Sequence, residues 1–463
     1  MMLPKIFIFL FLIILINTDD KEIKIDFSNT LTTNSDYTVE RNTVILSKED
    51  IVYNLTGTSN NYNIKVSASC SIILNSLKLS SPSFAPILIE ENKVVNINLT
   101  GESTLSDKSS NQNEGVIYLN EEAKLIINGE GILNISPNKH MGIFGTESSS
   151  LIVNGGTINI KSNANNVGGI YLSKEIIFND GNYNFNIDIN VLNNINPPSA
   201  IDSNGFITIK KGKYDIISGE GKGIKTESYL YIGNSGDNDK DLELKIETRN
   251  KGIEAKRIEI LSGNINITSY GDGINAINDQ CNINCTGNCD CYTKIEGGNI
   301  TINSGEDGID SKGDIFINNG KLIVFGASSG DNQPIDKDGL LKISGGIVLA
   351  GGSPILRGVK ANTTQTEGVY IKHINMGDII EILEGINNRR TIIKVEAPKA
   401  VEFLYFSFSE KNFIMELNGV KVDTNSTSIF DVIQPDSTQN IFFDNNSFFI
   451  GLSNIFFVLL AFI

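Results

Sequence analysis

Tryptophan is absent from this chain, and histidine occurs only twice, at His140 and His373. The chain therefore has little material for a histidine metal site or for catalysis by histidine. Positive charge is also scarce, because 38 basic residues stand against 54 acidic ones and give a net charge of −16. A protein with this net negative charge is a poor partner for nucleic acid or for an anionic membrane. Since 40% of the residues are apolar, the chain can still form a hydrophobic core.

Both ends of the chain carry patterns of processing signals. Residues 1–18 place one lysine before an apolar run, which is typical of a secretory signal peptide. Residues 448–463 form an apolar tail behind a polar linker at 423–447, which is typical of a lipid (GPI) anchor signal, with Asp436–Ser437 or Asn445–Asn446 as attachment residues. A retained tail anchor is the alternative. Nine N-x-S/T sequons fit the secretory route, so we expect an extracellular glycoprotein attached to the cell surface.

Four of the five cysteines lie in one loop, at 279–292: Cys281, Cys285, Cys289 and Cys291. In an oxidising compartment their spacing favours two local disulfides. A zinc site is the alternative, although this spacing is not a common zinc pattern. The fifth, Cys70, lies in an apolar stretch, where we expect a buried thiol.

The middle of the chain, residues 115–356, is an internal repeat of 21–35 residues. Each unit has a small residue followed by Ile, a short strand, a glycine turn and a second strand. When eight units are aligned on the turn glycine, the second and fourth residues after it are always apolar. The aligned glycines are Gly131, Gly156, Gly181, Gly212, Gly263, Gly298, Gly320 and Gly346. This period of two is typical of a strand with one face inward.

Strands this short cannot each bury a face alone, but they can when successive repeats stack at about 4.8 Å. The sequence therefore predicts an all-β protein, a parallel β-helix (solenoid) with about three strands per coil. Residues 21–114 also alternate and are predicted to begin or cap the solenoid. Residues 357–422 lose the repeat and are predicted to form antiparallel β-strands that cap its C-terminal end.

Stacked repeats would bring acidic residues of successive units together, most densely around the segment SGEDGIDSKGD. Neighbouring carboxylates repel by roughly 3 kcal/mol at 5 Å and an effective dielectric constant near 20, unless a cation lies between them. Oxygen ligands from adjacent turns suit Ca²⁺. We therefore predict a calcium site with Asp272, Asn275, Glu306, Asp307, Asp310 and Asp336 as its ligands. Ordinary Asp-Gly turns with carboxylates facing water are the alternative.

Two stretches of the sequence, VSASCSIILNSLKLSSPSFAPILIEENKVVNINLTGESTLSD and DGIDSKGDIFINNGKLIVFGASSGDNQPIDKDGLLKISGGIVLAGGS, resemble a known family. This family comprises carbohydrate-binding β-helix proteins of the clostridial type. The similarity covers residues 37–420. The resemblance implies a right-handed parallel β-helix, calcium held by Asp-rich turns, and binding of acidic plant polysaccharide such as polygalacturonate. The segment around Glu306, Asp307 and Asp310 also resembles the calcium motif of a related pectate lyase family. Lys222 and Lys251 depart from the acidic pattern of the later units.

We therefore expect a secreted, surface-attached, calcium-dependent carbohydrate-binding protein without catalytic activity. Its partner would be an acidic, pectin-like polysaccharide, and a membrane would be contacted only through the C-terminal anchor. A calcium-dependent polysaccharide lyase is the first alternative, with Lys222 or Lys251 as the base that removes the proton next to a uronate carboxylate. A surface adhesin or structural protein is the second.

Overall fold

The computed structural model describes most of the chain between residues 21 and 433. The described residues are 21–82, 84–108, 115–138, 141–162, 167–187, 197–277, 290–328, 330–353, 361–385, 390–422 and 430–433. Within these ranges the regular structure is almost all β, with one short 3₁₀ helix at Asp239–Asp241. None of the described helices has the length and apolar character needed to cross a membrane.

Most strands pair in three parallel ladders, and each repeat adds one strand to each ladder. Ladder 1 contains Thr43–Leu46, Asn63–Val66, Ile87–Ile89, Gly115–Leu119, Met141–Gly145, Ile170–Leu172, Ile201–Ser203, Ile224–Ile232, Ile253–Ile260, Ile274–Ala276, Ile309–Ser311 and Ile335–Lys337. The strand Thr38–Glu40 pairs with the first of these in antiparallel orientation.

Ladder 2 follows ladder 1 along the chain, and two long strands, Ile224–Ile232 and Ile253–Ile260, belong to both ladders. Its other strands are Glu22–Asp26, Val52–Thr56, Cys70–Asn75, Val94–Thr100, Lys124–Gly129, Ser150–Val153, Glu175–Phe178, Phe206–Ile209, Tyr292–Ile295, Asp314–Ile317, Leu341–Ile343 and Ala361–Thr363.

Ladder 3 completes each repeat. Its strands are Thr58–Ser59, Lys78–Ser81, Glu102–Asp107, Ile132–Ser136, Thr157–Ser162, Asn182–Ile187, Gly212–Ser218, Leu242–Thr248, Asn264–Ser269, Asn299–Ser304, Lys321–Phe325 and Ile347–Gly352. The apolar positions aligned in the sequence are register partners here, as Leu133 is of Ile158 and Ile135 of Ile160.

Alternation of side chains explains why the ladders share one core. In the strand Thr157–Ser162, Ile158 and Ile160 are buried while Thr157 and Asn159 are half-buried. The same alternation recurs in all three ladders, and their inward residues form one continuous apolar cluster. The outward asparagines of ladder 3 bond to one another, because the Asn159 amide donates to Asn134 Oδ1 at 2.8 Å and the Asn184 amide to Asn159 Oδ1 at 2.7 Å.

Glycine is required where ladder 2 turns into ladder 3. Gly212 has a φ of 105°, a conformation that L side chains rarely adopt. A Cβ atom there would lie 2.3 Å from the carbonyl oxygen of Gly181 in the preceding repeat. The turns of successive repeats are therefore in backbone contact, which keeps the strands on either side in register.

The C-terminal part of the described chain is antiparallel. The strand Phe403–Phe408 pairs with Ile347–Gly352 at the end of ladder 3 and, on its other side, with Thr366–Tyr370, which then pairs with Phe430–Ile433. A separate four-stranded sheet contains Ile379–Glu384, Arg390–Glu396, Phe413–Leu417 and Val420–Lys421. The two parts share a second apolar cluster that includes Leu349, Ile382 and Phe406.

The described residues confirm the all-β part of the prediction and its parallel strands, and the β-helix itself stays a prediction. The predicted buried thiol of Cys70 is also found, and Cys291 is buried and disulfide-bonded. Cys281, Cys285 and Cys289 lie outside the described residues, so the predicted pairing stays a prediction. The signal peptide at 1–18 and the tail at 448–463 also lie outside them, and the domain boundaries stay predictions.

Candidate metal centre

Two rows of side chains meet where ladder 3 turns into ladder 1. The turn row contains Asp272, Asp307 and Gln333, whose backbone carbonyls accept hydrogen bonds from Gly252, Gly273 and Gly308 at 2.9–3.0 Å. The strand row contains Asn275, Asp310 and Asp336, which are consecutive register partners in ladder 1. Residues far apart in sequence therefore become neighbours because each repeat places them at the same position.

Three carboxylates from these rows converge. Asp307, Asp310 and Asp336 each offer an oxygen atom, and these atoms lie within 4.8 Å of one another. Asp307 and Asp310 are buried, and Asp336 is half-buried. Asp272 is buried beside them, with its Oδ1 accepting the backbone N–H of Asp307 at 3.1 Å. The buried carboxylates are thus not the water-facing turn residues of the alternative interpretation.

Burial disfavours the ionised form of the carboxylates of Asp307 and Asp310. It raises the pKa of Asp307 to about 7, and the carboxylates of Asp272, Asp336 and Asp310 add to the rise, while a hydrogen bond from the Gln333 N–H opposes it. Burial likewise raises the pKa of Asp310 to about 6, against the opposing charge of Lys312. A cation bound among these oxygens would offset both burial and repulsion. It would interact with the carboxylates in place of the water that burial removes, and its charge would compensate theirs.

Two buried amides in the same rows have atoms without hydrogen-bond partners. Asn275 and Gln333 are 0% exposed. Asn275 donates to Asp272 Oδ2 at 2.8 Å, but its own Oδ1 has no partner. In Gln333 both Oε1 and Nε2 lack one. Buried polar atoms are almost always satisfied, so these amide oxygens fit a set of oxygen ligands for a hard cation such as Ca²⁺.

Lysines neutralise the edges of the acidic group. Lys312 contacts Asp310 Oδ1 at 3.2 Å. Lys251 lies 3.1 Å from Asp272 Oδ2 and 3.6 Å from Glu254 Oε2. Burial lowers the pKa of Lys251, but the carboxylates of Asp272 and Glu254 outweigh it, and the net pKa is raised. Lys222, one repeat earlier, pairs with Glu254 at 2.7 Å.

The structure therefore gathers five of the six predicted ligands into the two rows. Glu306 is exposed and is not among the three acidic residues whose oxygens converge. The predicted ligand set omitted Gln333 of the turn row, and sequence reasoning also missed Lys312, which pairs with Asp310. Gln333 occupies the position of Asp307 one unit later, so alignment of the units identifies it once amides are counted as oxygen donors. The pairing of Lys312, which directly follows the strand Ile309–Ser311, with Asp310 had no clear sequence signal.

The fold and this site together define a class of protein. It is an all-β protein built from parallel ladders, and it has a buried cluster of carboxylates and amides where ladder 3 turns into ladder 1. The particular family follows from the sequence, because the family model described as carbohydrate-binding domain-containing protein matches residues 40–238 and 240–378. The chain belongs to this family.

The chain is also similar, at a low level, to one solved structure. The solved structure of the polysaccharide lyase-like protein from C. thermocellum, a gadolinium derivative, is similar over 62% of this chain and 92% of that one. The identity is 18% and the TM-score is 0.34, a level of similarity that carries no information about ligands. The chain has no significant match among curated protein sequences.

Proposed function

We propose that this protein is a calcium-dependent, non-catalytic carbohydrate-binding protein that recognises acidic, plant-type polysaccharide such as polygalacturonate. It would act outside the cell, attached to the surface through its C-terminal tail. The three ladders would form the faces of a right-handed parallel β-helix, with the two rows of the metal centre at one corner. Family membership supports the binding of carbohydrate, and the finer terms are our proposal.

The observation that carries the calcium proposal is the set of buried oxygens. Asp307, Asp310 and Asp336 converge within 4.8 Å, and the unpartnered amide oxygens of Asn275 and Gln333 lie in the same rows. These five side chains and Asp272 would hold the ion. When bound, it would supply positive charge that stabilises the turn and attracts carboxylates of the polymer.

An acidic polymer is the partner that gives the ion a role in binding. The chain carries a net charge of −16, so it repels a polyanion at long range. A divalent ion held among these oxygens, of which those of Asp336 are only half-buried, would compensate for this repulsion at the point of contact. Secretion is supported by the apolar N-terminal segment and by the sequons.

The test is retention on immobilised polygalacturonate with calcium and with excess EDTA. We expect retention with calcium, loss of retention in EDTA and a lower melting temperature in EDTA, because an ion that binds only the folded state stabilises it. Undiminished retention in EDTA would contradict the calcium mechanism. Absorbance of unsaturated products should stay flat over the same incubation, and a rising trace would favour the lyase alternative.

A further inference from the structure

Tyr270 is the most exposed of the large aromatic residues that the structure describes. It is 73% exposed, compared with 50% for Phe84 and 46% for Phe206. In the described part of the chain its side chain has no hydrogen bond and no ring contact. It lies in the turn between ladder 3 and ladder 1, directly after the strand Asn264–Ser269 and two residues before Asp272.

The next repeat has a glycine at the position equivalent to Tyr270. The Tyr270 N–H donates to Thr248 in the preceding repeat at 3.1 Å, and Gly305 occupies the equivalent position one repeat later. Gly305 is tightly constrained, since a Cβ atom there would lie 2.1 Å from the carbonyl oxygen of Tyr270. Gly305 therefore places no side chain beside Tyr270. Glu306 and Asp307 follow Gly305 directly, so this backbone contact is two residues from Asp307 of the metal centre.

Other outward aromatic rings are arranged differently. Tyr118, Phe144 and Tyr171 occupy one row of ladder 1, and their rings stack on one another with centroids 5.6 and 5.4 Å apart. Phe144, in the middle, has both faces covered in this way. Such a row stabilises the ladder but offers few free ring faces to a ligand. Tyr270 has no such neighbour and keeps its faces available.

We propose that Tyr270 is the platform on which one sugar ring of an acidic polysaccharide stacks. A pyranose has an apolar face of C–H groups that can lie against an aromatic ring, while its carboxylate extends from the ring edge. With the sugar on Tyr270, its carboxylate would have the turn row within reach, because Asp272 follows Tyr270 by two residues and Asp307 follows Gly305 by two residues. The inference rests on the proposed function and adds the residue that selects a ring-shaped ligand over a simple anion.

The electrostatics around Tyr270 agree with this placement. Glu306 is exposed and directly follows Gly305. The exposed Arg249 has the position of Tyr270 one repeat earlier and lies 3.5 Å from the carboxylate of Glu220. Glu306 can accept hydrogen bonds from sugar hydroxyls without entering the buried group of oxygens. The turn thus combines an apolar surface, a hydroxyl acceptor and a site for a cation within two adjacent repeats.

The experiment compares four proteins: the full chain, Tyr270→Ala, Tyr270→Phe and, as the control, Phe84→Ala. Titration calorimetry measures binding of a polygalacturonate oligosaccharide in calcium, and binding of calcium alone in a separate titration. We expect Tyr270→Ala to weaken oligosaccharide binding about tenfold, as for loss of one stacking contact, with calcium affinity unchanged. Tyr270→Phe should stay within about twofold and Phe84→Ala should match the full chain.

Three results would overturn the inference. Equal oligosaccharide affinity for Tyr270→Ala and the full chain would remove Tyr270 from the binding site while leaving the proposed function intact. A parallel loss of calcium affinity in Tyr270→Ala would mean that the ring supports the metal centre instead of the sugar. Absence of oligosaccharide binding by the full chain in calcium would overturn the proposed function together with this inference.

Discussion

At the scale of single residues, Asp307 has the least favourable surroundings for a charge in the metal centre. It is buried, faces three other carboxylates and has a pKa raised to about 7. A group whose pKa is higher in the folded than in the unfolded state stabilises the fold at low pH, and this contribution is lost as the pH rises through the folded pKa. For Asp307 the loss falls between about pH 4 and pH 7 when no cation is bound.

Asp307→Asn should therefore change stability in opposite directions with and without calcium. In EDTA at pH 8 the variant should be more stable than the parent protein by about 1 kcal/mol, because one repelling charge is removed. At pH 3 the two should be equal, since Asp307 is then protonated in both the folded and the unfolded chain. With calcium at pH 8 the variant should be the less stable of the two. Thermal unfolding under the three conditions measures this.

Glu91→Gln is the matched control, because Glu91 is exposed and lies far along the chain from the metal centre. It should leave all three melting temperatures unchanged. If Asp307→Asn instead destabilises the protein in EDTA at pH 8, the hydrogen bond from Gln333 outweighs the repulsion, and the case for a cation weakens.

The sequence was sufficient to predict which acidic residues lie close together. It did not predict which of them is exposed or which pairs with a lysine. Asp272, Asp307, Asp310 and Asp336 recur at fixed positions in the repeat, and repetition alone makes them neighbours. Exposure of Glu306 and the pairing of Lys312 with Asp310 depend on the local direction of side chains in a turn. Periodicity does not encode that direction, so these details needed the structure.

At the scale of elements, the antiparallel strand Thr366–Tyr370 carries a charge that its surroundings disfavour. Burial raises the pKa of Glu367 to about 7, and its register partner in the adjacent strand is Ser407. Because the folded pKa is the higher one, ionisation of Glu367 costs stability as the pH rises from about 4 to 7.

Glu367→Gln should therefore raise the melting temperature at pH 8 by a few degrees and leave it unchanged at pH 3, where Glu367 is protonated in the folded and the unfolded chain. Unfolding of the variant and the parent protein, both in EDTA, is the measurement. Glu396→Gln, an exposed position in the neighbouring sheet, is the control and should have no effect at either pH. A similar gain from both variants would point to general relief of negative charge instead of a local effect.

The sequence also predicted the strands of the repeats better than those of the C-terminal region. In the repeats, the turn glycines and the alternation set both the boundary and the register, as the pairing of Ile300 with Leu322 illustrates. In the antiparallel region, the strand Phe403–Phe408 is buried along its whole length. A strand covered on both faces has no alternation, and its partners cannot be derived from periodicity.

At the scale of the whole molecule, each repeat contacts mainly the repeats before and after it, and an uncovered last repeat would expose strand edges. The strand Phe403–Phe408 covers the edge of Ile347–Gly352, and the second apolar cluster covers Leu349 and Phe325. We therefore expect the C-terminal region to protect the molecule against association through this edge.

A chain ended after Ser353 should form oligomers or aggregate at concentrations where the longer chain stays dispersed. Light scattering coupled to size exclusion measures this, with a chain ended at residue 433 as the comparison. A monomeric shortened protein with an unchanged melting temperature would contradict the protective role of the C-terminal strands.

The hydrogen bonds in two rows of outward asparagines all run in the same direction along the repeats. In the row of Asn134, Asn159 and Asn184, the amides of Asn159 and Asn184 each donate to the repeat before them. In the row of Asn128, Asn154 and Asn179, the amides of Asn154 and Asn179 do the same, with bonds of 2.8 and 2.6 Å. Aligned amide dipoles polarise one another, so each bond strengthens the next in the same direction. The surface of these repeats thus behaves as two parallel chains of like-oriented dipoles, in which the central amide supports both of its neighbours.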